Sequence, residues 1–294
     1  MKVSVIVPAY NEAVNMPLLI EEFDKFIKKH RSYEVIVVDD GSEDGTSDIL
    51  KKSKRSYLRS VRHQRNMGKT QAIMSGARAA RGDVIVIFDA DLQYDPFDIS
   101  RLVALVESGF DIATGWKQGD YEKKFISNVY NFWARRLFRL EVHDMNAIKA
   151  VRKEVLGVIP LRKDWHRYIV PLAKEAGYKI GEVKVDLRPR RFGIPKYQQK
   201  SRILIGFFDL LAVKFQLSFM KKPMLYFGTI GLFSITTGVL VGILSIILRL
   251  FGYGFRPLLY LVILLVISGI LFFSLALIGE SIRAILDRLE QRDV

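Results

Sequence analysis

Cysteine is absent from the 294 residues. Disulfides and thiolate metal sites are therefore excluded, and the absence fits a reducing compartment. No apolar run of membrane-spanning length precedes Pro223. The opening stretch, Lys2-Val-Ser-Val-Ile-Val-Pro8, is too short to be a secretory leader and reads as a buried strand. The N-terminal part is accordingly expected to stay in the cytoplasm. No helix-turn-helix, zinc-finger or RNA-binding motif is present, so the net charge of +14 does not point to nucleic acid. The charge instead gathers before the apolar tail, at Lys214, Lys221 and Lys222, which favours a membrane surface.

Charge is missing from two further places. Residues 224–248 carry none, and neither do residues 257–279. Each run exceeds the roughly 20 residues needed to cross a bilayer. Only Arg249 to Arg256 connects them, so a two-helix hairpin with both ends on one side is expected. Arg249 and Arg256 in the connection weaken the charge asymmetry, but the flank before the first span is more basic, and that side is expected in the cytoplasm. The expected organisation is an N-terminal domain at 1–199, an amphipathic juxtamembrane segment at 200–222, two spans within 223–279 and a cytoplasmic tail at 280–294. The protein is thus expected in the cell membrane, multi-pass, with its N-terminal domain facing the cytoplasm.

Before the tail, Val- and Ile-rich runs alternate with helical patterns. Val3–Val7, Val35–Val38, Val84–Phe88 and Asp111–Thr114 read as strands, and Lys179–Val185 as another. Helices are expected over 14–29, 45–54, 69–80 and 97–108. Such alternation predicts an α/β fold with a mostly parallel sheet. Segment 122–140 differs. Phe125, Val129, Phe132, Trp133, Leu137 and Leu140 recur at near-helical spacing, with Lys123, Lys124, Arg135, Arg136 and Arg139 on other faces. This pattern suits a helix lying in the membrane interface.

Ligands of parallel sheets bind beyond the carboxyl ends of the strands. The segments there are Pro8-Ala-Tyr-Asn-Glu12, Asp39-Asp-Gly-Ser42 and Asp89-Ala-Asp91. On an extended backbone Asp89 and Asp91 point the same way and repel unless a cation lies between them. Gln93 has the same parity and can add a carbonyl oxygen. These are oxygen donors of the kind Mg²⁺ takes together with substrate phosphates. In the run from Asp39 to Gly45, turn and cap chemistry competes with a second reading, in which Asp40 accepts hydrogen bonds from a ribose or base.

Together these blocks, with Asn66-Met-Gly-Lys69 and Asp89-Ala-Asp-Leu-Gln93, resemble the family 2 glycosyltransferases of GT-A fold over about the first 120 residues. The resemblance implies nucleotide-sugar contacts from Pro8, Tyr10, Asn11, Glu12, Val38, Asp40, Asp89, Ala90 and Asp91. It implies Mg²⁺ or Mn²⁺ on Asp89, Asp91 and Gln93. Further blocks are similar to the polyprenyl-phosphate mannose and glucose synthases: Gly115-Trp-Lys117, Lys123-Lys-Phe-Ile-Ser127, His143-Asp-Met-Asn146, His166-Arg167 and Arg190-Arg-Phe-Gly-Ile-Pro-Lys196. They imply that Lys117, Lys123 and Ser127 hold an acceptor phosphate. They also imply that Lys117, Arg190 and Lys196 handle the donor, with Asp91, Arg190 and Lys196 acting in catalysis. Pro195 stands where the subfamily has serine, and its Gly-aromatic pair is shortened to Ala147-Ile148. His143 and His166 are read as satisfied structural histidines, with ligand or base as the alternative. The expected reaction is metal-dependent, inverting transfer of a hexose from a GDP- or UDP-linked donor to polyprenyl (dolichyl or undecaprenyl) phosphate. The alternatives are another lipid acceptor such as diacylglycerol, a nucleotidyltransferase, or a non-catalytic membrane scaffold. Assembly into a homo-oligomer is compatible with the sequence.

Overall fold

The computed structural model describes residues 2–119, 124–189, 202–219, 221–254 and 256–290. The chain divides into two units, Met1–Leu210 and Leu211–Val294. Among the described residues the first unit holds a seven-stranded sheet: β1 (Val3–Ala9), β2 (Tyr33–Asp39), β3 (Leu58–Arg62), β4 (Val84–Ile87), β5 (Ile112–Gln118), β6 (Lys149–Arg152) and β7 (Ile180–Asp186). Their spatial order is β3-β2-β1-β4-β6-β5-β7. Strand β6 runs antiparallel to β4 and β5, and every other pairing is parallel. The helices of this unit are α1 (Met16–Lys29), α2 (Thr46–Lys52), α3 (Lys69–Ala79), α4 (Asp98–Glu107), α5 (Lys124–Phe138), α6 (Lys153–Val158) and α7 (Ile169–Glu175), with a 3₁₀ turn at Trp165–Tyr168. Helix α8 (Arg202–Lys214) runs through the boundary between the units.

The local reasons are ordinary. Strand β4, Val-Ile-Val-Ile, is buried along its whole length, as a central strand covered on both faces must be. Helix α1 has a proline in its first turn and ends on Lys28 and Lys29. It buries Met16, Leu19, Ile20, Phe23 and Phe26, a helical stripe facing the sheet. The expected helices agree within two residues, and the expected strands are present. Strands β3 and β6 are additions. The first is a half-exposed edge strand, Leu-Arg-Ser-Val-Arg, without an apolar run. The second opens on a lysine.

The second unit is built on α9 (Thr229–Leu250) and α10 (Arg256–Glu290), which are packed on each other. The chain enters α9 through a π-helical turn at Met224–Gly228. Two glycines face each other where the helices leave no room for a Cβ. A Cβ on Gly231 would stand 2.7 Å from the Gly269 carbonyl oxygen, and one on Gly269 would stand 2.8 Å from that of Gly231. The Ser234 hydroxyl also donates to the Leu265 carbonyl at 2.9 Å. Small residues and hydroxyls are how apolar helices associate without a hydrophobic drive between them. The spans Met224–Leu250 and Arg256–Leu289 are long and apolar enough to cross a membrane. The second helix continues past residue 279 to Glu290. Residues 280–290 contain no glycine or proline to end it, and Arg283 pairs with Asp287 one turn on, at 2.7 Å.

Candidate active site

The carboxyl edge of β1, β2 and β4 brings three polar segments together. The first two are knitted to each other. The Asn11 amide donates to Ser42 Oγ (2.9 Å), the Glu43 amide to Asn11 Oδ1 (2.9 Å) and the Glu12 amide to Thr46 Oγ1 (3.0 Å). Asn11 adopts φ +53°, an uncommon conformation for a residue with a side chain. Asp39 turns inward to accept the Ser42 amide, while Asp44 holds the start of α2 through the Thr46 amide and hydroxyl. Gly41, at φ +74°, has no room for a Cβ, which would lie 2.5 Å from the Arg65 carbonyl carbon. Asp40 is buried and heavily engaged. Its carboxylate accepts the Met67 and Gly68 amides (2.9 and 2.8 Å) and meets His63 Nδ1 at 2.7 Å. It anchors the loop that precedes α3.

The third segment follows β4. Asp89 Oδ1 accepts from Lys69 Nζ at 2.5 Å. Burial disfavours the Asp89 charge, but the Lys69 ammonium outweighs it and holds the carboxyl below its usual range. Asp91 accepts the Gln93 amide at 3.3 Å, across Leu92 at φ +61°. Gln93 is in turn bonded to Arg188, whose amide donates to the Gln93 carbonyl at 2.8 Å. Asp89, Asp91 and Gln93 therefore offer hard oxygen donors only. Among the described residues no group of three or more His, Cys, Asp or Glu side chains is arranged to hold an ion. The donor set fits Mg²⁺ or Mn²⁺ in the manner where substrate phosphates and water complete the shell.

Beside Asp89 lies a cavity of about 250 Å³ lined by Lys69, Asp89, Asn146, Lys149, His166 and Arg167. Lys149 was not among the residues singled out from sequence. It opens β6, opposite Ile87 and Thr114, and is 5 % exposed. Desolvation, reinforced by Lys69, lowers its pKa to about 8. Desolvation and the same cationic neighbours lower His166 to about 3. The His166 amide donates to Thr70 Oγ1, and the same hydroxyl lies within hydrogen-bond distance of the ring at Nδ1, 3.2 Å away. Such a ring is too weak a base to take a proton near neutral pH.

A buried lysine below its ordinary pKa destabilises the fold wherever it is charged. That cost is full below about pH 8 and is relieved as pH climbs toward the ordinary lysine value near 10.4. Lys149→Met is therefore expected to raise the melting temperature of the substrate-free protein at pH 7 by a few degrees. The gain should shrink as pH rises from 8 to 10. Melting curves across that range check both points.

Lys117 Nζ lies 3.1 Å from Asp144 Oδ2, with side-chain exposures of 12 % and 3 %. Lys117 also lines a groove of about 810 Å³ with Trp116, Phe125, Phe132, Trp133 and Arg135. Helix α5 buries Asn131, Ala134 and Phe138 and leaves Phe125, Phe132 and Trp133 exposed. Ser127 accepts from Asn131 Nδ2 on the same helix. His143 stacks on Trp116 at 3.9 Å and is held by Glu182 through Nδ1 and its backbone amide, both at 2.6 Å. Pro8, Tyr10, Val38 and Ala90 lie at the strand ends as expected. Lys123, Arg190 and Lys196 lie outside the described residues.

The fold is of GT-A type. The sequence model described as Glycosyl transferase family 2 matches residues 4–153, and the chain belongs to that family. It is 31 % identical to an undecaprenyl-phosphate 4-deoxy-4-formamido-L-arabinose transferase of Pseudomonas savastanoi pv. phaseolicola, over 95 % of this chain and 84 % of that one. It is 30 % identical to a dodecaprenyl-phosphate galacturonate synthase of Rhizobium johnstonii, over 96 % and 88 %. In fold it is similar to glucosyl-3-phosphoglycerate synthase from Mycobacterium tuberculosis, solved with Mn²⁺, UDP and phosphoglyceric acid. The TM-score is 0.58 at 19 % identity, covering 74 % of this chain and 78 % of that one.

Proposed function

We propose that this glycosyltransferase moves a hexose from a GDP- or UDP-linked donor to a polyprenyl phosphate at the cytoplasmic membrane surface, with inversion. The observation that carries the reading is the meeting of the Pro8–Glu12, Asp39–Ser42 and Asp89–Gln93 segments at one sheet edge, in a chain with two helices of membrane length. The printed acceptors of the two relatives, undecaprenyl and dodecaprenyl phosphate, support the same acceptor class.

In this reading Pro8, Tyr10, Asn11, Glu12 and Val38 hold the nucleotide, and Asp40 contributes by fixing the loop behind it. Asp91 is the main carboxylate for Mg²⁺ or Mn²⁺, with Gln93 beside it, because Asp89 already shares an oxygen with Lys69. The metal would neutralise charge on the leaving diphosphate. Arg190 and Lys196 serve the same charge; Arg190 follows two residues after Arg188, whose amide bonds to Gln93. Lys117, Lys123 and Ser127 hold the lipid phosphate near the aromatic groove. A phosphate monoester has a second pKa of about 6, so it arrives ionised and needs no general base. The weak basicity of His166 and the commitment of Asp144 to Lys117 agree with that.

Deletion of residues 224–294 tests the membrane half of the proposal. The remaining domain should still bind nucleotide-sugar. Its rate with long-chain polyprenyl phosphate in liposomes should fall at least about 100-fold, because enzyme and lipid are no longer confined to one surface. An undiminished liposome rate counts against the hairpin's role.

A further inference from the structure

The mechanism above leaves Lys149 unused, yet its surroundings are those of a ligand site. Its side chain is more than nine-tenths buried. Among the described residues its ammonium makes one hydrogen bond, to the Ala147 carbonyl at 2.8 Å. An ammonium has three donors. Two therefore remain without an acceptor among the described residues, at a cavity large enough for one sugar ring. Buried donors are normally satisfied, and an exception calls for a partner.

Ile73, Ile87, Ala147 and Ile148 give the cavity an apolar side, and its polar walls say what kind of partner. Asp89 has one oxygen on Lys69 and offers the second as an acceptor. Lys69 and Arg167 add donors, and His166 and Asn146 add groups that can donate or accept. A wall of several donors and a carboxylate acceptor suits a polyol, whose hydroxyls both give and accept. A free phosphate would meet the Asp89 charge. A prenyl chain would leave every one of these groups unmet. The position agrees: the cavity adjoins the Asp89–Gln93 loop that follows β4.

We infer that this cavity seats the transferred sugar and that Lys149 is a specificity-determining residue, donating to one oxygen substituent of the ring. That oxygen is either a hydroxyl or a carboxylate oxygen of a uronic acid. The inference rests on the proposed glycosyl transfer. It deepens it by naming the group that reads the sugar.

The test uses the full-length protein with undecaprenyl phosphate in liposomes, comparing wild type with Lys149→Met and Lys149→Ala. Donors are UDP- and GDP-linked hexoses, their monodeoxy analogues and the matching uronates. A site built to bond a substrate oxygen rejects the analogue lacking it by large factors. Wild type should therefore lose at least about 100-fold in kcat/KM at one deoxy position. In Lys149→Met the parent donor should fall to nearly the level of that analogue, with the penalties at other positions unchanged. Inhibition by the free nucleoside diphosphate should stay within about twofold. If the oxygen is a carboxylate, the uronate is the preferred wild-type donor and only its transfer is sensitive to the substitution. Discrimination that persists at every position in both variants overturns the inference.

Binding separates this inference from the transfer reaction. Intact donor should raise the melting temperature more than free diphosphate does, and Lys149→Met should abolish the excess. An excess equal in wild type and variant overturns the role of Lys149 even where transfer is intact. Loss of the excess in a protein that transfers nothing to lipid overturns the acceptor assignment and leaves Lys149 as the sugar contact.

Discussion

Asp91→Asn is expected to lower transfer by more than about 10³-fold while the protein keeps its fold. The substitution keeps shape and removes charge. The loop around Leu92 should survive, because an asparagine Oδ1 still accepts the Gln93 amide now bonded to Asp91 at 3.3 Å. What is lost is the anionic oxygen expected to hold a divalent ion against the donor diphosphate. A loss of about 4 kcal/mol in transition-state stabilisation corresponds to that factor of 10³. Turnover in Mn²⁺ and in Mg²⁺, measured beside a melting curve, checks it. Near-normal turnover with a normal melt removes Asp91 from the metal site.

The second large effect concerns stability. Lys117→Met should destabilise the first unit by about 3–5 kcal/mol, since it strands the Asp144 carboxylate in a buried setting. Lys117→Met combined with Asp144→Asn should recover more than half of that loss. The asparagine carries no charge and can still accept the Asn146 amide that Asp144 Oδ1 holds at 2.8 Å. Transfer should not recover with it, because Lys117 is also proposed to meet the acceptor phosphate. Denaturant titration of the four variants gives the coupling. A Lys117→Met protein as stable as wild type contradicts the ion pair's structural role. Recovered transfer in the double variant contradicts the phosphate role.

Much of this was legible before the fold was in hand, for a physical reason. Parallel strands covered on both faces must be apolar throughout, so Val3–Val7, Val35–Val38 and Val84–Phe88 stood out. The rule that ligands lie beyond their carboxyl ends then selected Asp39–Ser42 and Asp89–Gln93. The same rule conceals Lys149. Strand β6 runs the other way, so its first residue, not the segment after it, reaches the reactive edge. The edge strand β3 escaped because its half-exposed face gives it no apolar run.

Side-chain commitments were less legible than positions. The sequence allowed Asp40 to be either a turn residue or a nucleotide ligand; its carboxylate is bonded to His63 and the 67–68 amides. Lys69 was visible as part of Asn66-Met-Gly-Lys69, but its partner Asp89 lies 20 residues away on another strand end. Lys117 was expected at a phosphate and is also paired with Asp144. Each of these contacts crosses between elements, and spacing along the chain carries no information about it. The aromatic pattern of segment 122–140 was more direct. A helix is present, and Phe125, Phe132 and Trp133 are exposed along it while Phe138 is buried.

The most direct test of the central claim is to follow both halves of the donor at once. Full-length protein in liposomes containing undecaprenyl phosphate is given nucleotide-sugars labelled separately in the sugar and in the base, with Mn²⁺ or Mg²⁺. The account predicts that sugar label enters the organic phase only when the polyprenyl phosphate is present, with one nucleoside diphosphate released per sugar and the anomeric configuration inverted. Base label in the lipid product, release of nucleoside monophosphate, or sugar label carried by diacylglycerol in place of polyprenyl phosphate would contradict it.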